Sequence, residues 1–273
     1  MNSKKYPMLN DSEWLRKRYV EDGASTLVIG REVGGCNPNL VRQALAQIGV
    51  TTRDFRQGQI HRREDDGFVL NVPLITGTLL GDAGLKMHSK RSLICSPHYY
   101  VKHTDRSHVE FVAGLLFGDK GDGRISERTW FSRPLGRMYT NYELRSYSHD
   151  SLRPFFEEWY PAESGYKKVV PPSIEIDETV LLHWFMDDGC SYQRKGHGRR
   201  SRQIVITFCS ESFLKEDQEM LCQKVNDRFD LGLRVHPYNQ GTGWRIRLPQ
   251  SRIDDFYDII GPPPVQSLAY KWK

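Results

Sequence analysis

Two short apolar runs, each ending in a carboxylate, constrain this chain more than any other feature. The first is Leu74-Ile-Thr-Gly-Thr-Leu-Leu-Gly-Asp-Ala-Gly84; the second is Thr179-Val-Leu-Leu-His-Trp-Phe-Met-Asp-Asp-Gly189. Each reads as a buried helix that carries an acid where the helix should give way to a turn. Superposing them sets Asp82 against Asp188, Gly81 against Asp187 and Gly77 against His183, the two aspartates lying 106 positions apart. Glycines one turn apart let a second backbone approach closely, so the helices are expected to pack together and deliver Asp82 and Asp188 side by side. The carboxyl end of a helix carries partial negative charge and free carbonyls, and paired carboxylates repel unless a metal or proton lies between them. Oxygen-only ligation with room for water and phosphate suits Mg²⁺.

The spacing is that of a repeat of about a hundred residues. After each motif comes strand, strand, helix, strand, strand, helix. In the first copy strands are expected near 85–90, 97–103, 128–132 and 137–146, with helices near 105–117 and 149–159. In the second, strands are expected near 190–194, 203–208, 233–237 and 243–248, with helices near 212–229 and 251–260. Both copies then run through proline to a Tyr-Lys pair, in "YPAESGYKKVVP" and "GPPPVQSLAYKWK".

The two motif helices resemble the paired signatures of LAGLIDADG homing endonucleases. "WFMDDG" is close to the second signature of their single-chain, intron-encoded members, and the resemblance covers about residues 73–273. It implies an α+β fold of two pseudo-symmetric αββαββα repeats, 73–172 and 173–273, whose sheets form a DNA-binding saddle in a monomer. The activity it implies is Mg²⁺-dependent hydrolysis of both strands of a long, asymmetric double-stranded DNA site, leaving short 3′ overhangs, with Mn²⁺ able to substitute. Asp82 and Asp188 would be catalytic metal ligands, with the carbonyls of Gly81 and Asp187 completing the ligand sets. Lys168 and Lys271 would stand near the scissile phosphates. Spacing to proline favours Lys168, whereas the Tyr-Lys parallel favours Lys167. The second signature departs from the small-residue pattern at His183 and Asp187, so the helix contact is expected to be asymmetric, with Asp187 packing or hydrogen bonding there.

The strands divide their residues between two faces. Arg137, Tyr139, Asn141, Glu143 and Arg145 alternate with Met138, Thr140, Tyr142 and Leu144. Arg234 and His236 stand against Leu233 and Val235, and Arg245 and Arg247 against Trp244, Ile246 and Leu248. One face suits a core and the other a DNA groove, where Arg128 and the patch around Lys102 and His103 would join it. The run from Gln193 to Arg202, with Arg194, Lys195, Arg199 and Arg200, reads as a hairpin tip gripping phosphates. Trp130 and Tyr100 are expected to pack rather than intercalate.

Residues 1–53 read as three short helices. Asn10 and Glu13 have capping-box spacing, Ser25 caps the second helix, Gly34-Gly35 turns, and Asn37-Pro38 opens the third. Val28, Ile29, Val33, Val41, Ala44, Leu45 and Ile48 would pack inward, leaving Asn39, Arg42, Gln43 and Gln47 outside. This resembles a helix-turn-helix DNA-binding module, the alternative being a polar-faced bundle. Residues 54–72 read as a linker.

Composition agrees with a polyanionic partner: the 273 residues carry a net charge of +5, with an isoelectric point near 8.9. The five scattered cysteines form no Cys-x-x-Cys pair and read as reduced thiols. No apolar run is long enough to span a membrane, and the amino terminus lacks a signal core. A soluble intracellular protein is expected, in a phage or bacterial cytoplasm or an organelle matrix. The initial methionine and the lack of a terminal His-Asn point to an intron-encoded or freestanding element rather than an intein. The same basic faces leave open an intron maturase that binds its own intron RNA, and a regulator that binds DNA without cutting.

Overall fold

In the computed structural model the described residues are 5–54, 67–87, 95–133, 136–195 and 202–272. They fall into two units, one formed by residues 5–54 with Cys95 and the other by 67–87 and 96–272.

The smaller unit is built on local caps. Asp11 accepts a hydrogen bond from the Trp14 amide at 2.9 Å and so starts α1 (Ser12–Arg16), which continues as a π turn to Glu21. The expected cap, Asn10, instead closes a 3-10 turn. Ser25 caps α2 (Thr26–Glu32) and Asn37 caps α3 (Pro38–Gln47). Between them Gly34 and Gly35 sit at φ +100° and +82°, where only glycine is unstrained. Leu15, Tyr19, Ile29, Cys36, Val41, Ala44 and Leu45 form the core. Val28, expected inside, is 40% exposed, because α2 turns Ile29 rather than Val28 to the core. Asn39, Arg42, Gln43 and Gln47 are all exposed.

The larger unit holds two copies of one pattern. Asn71 caps α4 (Val72–Leu80), followed by β1 (Ala83–Lys86), β2 (His98–His103), α5 (Arg106–Phe117), β3 (Ile125–Ser132), β4 (Arg137–Ser148) and α6 (Arg153–Trp159). Asp177 caps α7 (Glu178–Asp188), followed by β5 (Gly189–Lys195), β6 (Arg202–Phe208), α8 (Lys215–Phe229), β7 (Arg234–Tyr238), β8 (Gly243–Leu248) and α9 (Ile253–Ile260). The strands make two antiparallel sheets of the same order, β1-β2-β4-β3 and β5-β6-β8-β7. Strand β3 begins at Ile125, three residues before the expected start. It is an edge strand exposed on both faces, so its composition carries no alternation, and its length follows its pairing with β4 from Ile125↔Leu144 to Ser132↔Arg137. Residues 88–90 of the first expected strand lie outside the described residues.

Helices α4 and α7 pack directly, and the glycines permit it. A Cβ on Gly77 would sit 2.6 Å from the Val180 carbonyl oxygen and 2.7 Å from His183 Cβ; one on Gly81 would sit 2.3 Å from Asp187 Cβ. The departures from the small-residue pattern therefore fill the space left by the glycines they oppose. Leu74, Ile75, Leu79, Leu181, Trp184 and Phe185 bury the remaining faces of the pair within one core shared by both sheets.

Gly81→Ala is expected to destabilise the fold by about 1–3 kcal/mol through this overpacking. Gly114→Ala, at an exposed position of α5 with nothing within 4 Å of its added Cβ, is expected to be neutral or to stabilise by up to about 1 kcal/mol. Chemical denaturation of both variants checks the pair, and equal effects would contradict the close-packed interface.

Candidate active site and nucleic-acid face

The caps, the glycine contact and the apolar packing bring the ends of α4 and α7 together. Three acids meet there with different surroundings: Asp82 keeps an exposed edge, Asp188 is half-buried, and the Asp187 side chain is fully buried. Asp187 Oδ2 accepts the Asp82 backbone N–H at 3.2 Å, while Oδ1 lies 2.7 Å from His108 Nε2 on α5. One carboxylate thus joins both motif helices to the helix that covers the first sheet.

Each repeat also sends a lysine into the site. Lys168 Nζ donates to the carbonyl oxygens of Gly81 (3.1 Å) and Ala83 (2.9 Å). Lys271 Nζ donates to those of Met186 (2.5 Å) and Asp187 (2.9 Å). Lys167 is exposed, so it is Lys168 that reaches the site. Lys271 is buried, its ammonium held by α7 carbonyls left without intrahelical partners.

Burial and like charge work against ionisation of these acids. Burial, and then the Asp187 carboxylate, push Asp82 from the usual 3.8 up to about 6. Burial, followed by Asp82 and Asp187, pushes Asp188 up to about 8. Burial lowers both Lys168 and Lys271, against the pull of the three acids. The convergent donors are all oxygens, from two carboxylates and the backbone. Among the described residues no group of three His, Cys, Asp or Glu side chains could hold a metal ion. Such a set fits a hard divalent cation that keeps water and phosphate as further ligands, rather than zinc.

The sheets collect the remaining expected residues by register. Lys102 pairs with Glu143, Tyr100 with Arg145, Arg128 with Asn141, and Trp130 with Tyr139, so Lys102, Arg128, Arg137, Tyr139, Asn141 and Arg145 share one face of the first sheet. In the second, Arg234 pairs with Arg247 and His236 with Arg245; Thr207 joins Arg247 to the face that carries Cys190, Tyr192 and Arg194. Arg199, Arg200 and the side chain of Lys195 lie outside the described residues. Trp130 corrects the expectation of packing: it is 45% exposed and stacks on Tyr139 at 6.0 Å on the charged face. Met138, expected on the core face, is 59% exposed near the hairpin's end, beside Phe131. Tyr100 does pack, its hydroxyl filling the place of a Gly84 side chain. His108 and the buried Glu143 escaped sequence reading as site residues. Nothing in the spacing of His108 marks it, and Glu143 reads as one more member of a polar strand face.

The family model for the LAGLIDADG DNA endonuclease family matches residues 72–256. The chain belongs to the LAGLIDADG DNA endonuclease family. As a member it is a site-specific DNA endonuclease, a hydrolase of phosphodiester bonds. It is 24% identical over 210 residues to the probable intron-encoded endonuclease 1 of Wickerhamomyces canadensis, covering 72% of this chain and 81% of that one. It is 26% identical over 133 residues to the intron-encoded endonuclease ai4 of Dictyostelium discoideum, covering 49% and 77%. The homing endonuclease I-WcaI bound to its DNA recognition sequence shares the fold, with a TM-score of 0.60 at 19% identity over 89% of this chain and 97% of that one. Among the described residues no helix of this endonuclease is long and apolar enough to cross a membrane.

The raised carboxyls have a consequence for stability. The folded chain keeps protons on Asp82 and Asp188 that the unfolded chain has lost above pH 3.8, so stability falls as pH rises towards about 8. In EDTA, Asp188→Asn is expected to melt at least about 2 °C above the unsubstituted protein at pH 8, with the gap closing towards pH 4. Calorimetry across that range checks it; a variant that melts lower at pH 8 would contradict the repulsion described.

Proposed function

We propose that this endonuclease cuts both strands of one long, asymmetric DNA site with a divalent cation, Mg²⁺ first and Mn²⁺ in its place, leaving short 3′ overhangs. The observation that carries this reading is the convergence of one aspartate and one lysine from each repeat at the paired helix ends. A chain with two pseudo-equivalent sets of groups has one set for each strand of a duplex.

Asp82 and Asp188 are the residues that would hold the cation, with the Gly81 and Asp187 carbonyls beside them. When bound, Mg²⁺ supplies a Lewis acid that stabilises charge on the phosphoryl and leaving 3′ oxygens. The chain's own groups prepare for this. Asp187, anchored by His108, grips the Asp82 amide and sets where that carboxylate starts. Lys168 and Lys271, fixed on backbone carbonyls and lowered by burial, place cations where solvent must be polarised and developing charge offset. The charged faces of both sheets meet the grooves and phosphates of the site, joined by the outer face of α3 through Asn39, Arg42 and Gln43, which lengthens the recognised sequence. The protein works where its DNA is, inside a cell or organelle.

DNA carrying the uninterrupted host locus is expected to be cut at one position with Mg²⁺ and not with EDTA. Asp82→Asn and Asp188→Asn are each expected to lower the cutting rate by at least about 100-fold while target binding persists. Lys168→Met is expected to slow cutting by about 10- to 100-fold at unchanged affinity. Tight binding without cutting under any divalent metal would overturn the nuclease reading, and cognate precursor RNA would then be assayed for splicing.

A further inference from the structure

A buried carboxylate is out of place on a surface built for a polyanion, yet the charged face of the first sheet has one. The Glu143 side chain is 1% exposed. Its Oε1 accepts Arg145 Nε at 3.1 Å and a second nitrogen of the same guanidinium. Its Oε2 lies 3.2 Å from Lys102 Nζ and 3.8 Å from Arg128 Nε. The three cations come from three adjacent strands, and their side chains remain 39%, 62% and 49% exposed for Lys102, Arg128 and Arg145. The acid is therefore inside the ring and the cations are outside. Burial opposes its ionisation, but the hydrogen bonds from Arg145 and the Lys102 ammonium beside it hold the carboxyl below its usual value. At the second sheet a partly exposed acid from the loop after β6, Glu211, accepts from Arg245 Nε, and that guanidinium lies over the Tyr238 ring at 3.5 Å.

For DNA affinity alone the acid is a liability, since it offsets cations that could each engage a phosphate. What it contributes is orientation. Arg145 has five donors in a rigid fork, and Glu143 engages only its inner side. The outer donors are left with a fixed direction suited to the acceptors of a base edge. Lys102 and Arg128 are held to the same centre, so ordering them costs less when DNA arrives. Adventitious phosphate contacts meanwhile become less favourable, a repulsive element that serves discrimination.

We propose that Glu143 is a specificity-determining positioning residue: it holds Lys102, Arg128 and Arg145 as a preset reader of base edges and gives up non-specific DNA affinity to do so. This rests on the reading above that the charged sheet face meets DNA. Glu143 itself touches no base; it acts through the three cations.

The test uses the full-length protein, a target duplex selected by cleavage from a randomised library, and a scrambled duplex of equal length. Glu143→Gln keeps the shape and removes the charge. It is expected to bind the scrambled duplex about 10-fold more tightly at low salt, and to steepen the slope of log affinity against log salt by about one to two, as each freed cation contributes up to about 0.9. The preference for target over scrambled duplex is expected to fall by about 10-fold or more, with base tolerance widening only in the half-site read by the first repeat. Arg145→Lys, which keeps the charge but loses the fork, should relax discrimination with an unchanged salt slope. Equal loss of affinity for both duplexes in Glu143→Gln, an unaltered preference and slope, or full discrimination in Arg145→Lys would each overturn the proposal. Failure of the unsubstituted protein to prefer any duplex would instead overturn the DNA reading on which it rests.

Discussion

The larger unit depends on the close approach of α4 to α7. The approach needs Gly77 and Gly81, because any side chain there would overlap Val180, His183 or Asp187. It also decides where the acids meet. Each helix ends in Gly81-Asp82 or Asp187-Asp188, so the backbone contact that packs the repeats also crowds the acids. The two structural departures of the second helix, His183 and Asp187, are complements of the two glycines across the interface, which makes an asymmetric contact between pseudo-symmetric halves.

That crowding creates an electrostatic problem which the structure answers only in part. The buried Asp187 has local partners in His108 and the Asp82 amide. Among the described residues Asp82 and Asp188 have none of comparable strength, so burial raises both, with repulsion from Asp187 on Asp82 and from Asp82 and Asp187 on Asp188, to about 6 and about 8. The lysines do not quench the pair directly; they lie on backbone carbonyls at the helix ends. Burying carboxylates this close together sacrifices stability at neutral pH. The sheet faces use charge in the opposite sense, with cations outermost and an acid beneath them at Glu143.

Much of this was legible in the chain. Matched apolar runs at a repeat spacing gave the two motif helices, and the alternation in "RMYTNYELR", "LRVHPY" and "GWRIRL" gave strands whose charged residues do share a face. Legibility failed where the burial pattern was absent or local choices competed. Edge strand β3 carries no alternation, so its first three residues went unread. Asp11 and Asn10 can both cap a helix, and Val28 and Ile29 can both be core; the cap falls to Asp11, which accepts the Trp14 amide, and the packing of α2 buries Ile29.

Periodicity, caps and the repeat are written in the order of the residues, because these depend on side chains a few residues apart and on backbone geometry common to all chains. Only the tertiary structure decided which groups meet across the fold. Lys168 rather than Lys167 reaches the motif helices, His108 rather than any other histidine meets Asp187, and Glu143 lies beneath three cations instead of beside them. Those pairings join residues from separate helices and strands, brought together by packing. A contact of that kind depends on where a whole element comes to rest, which no local pattern encodes.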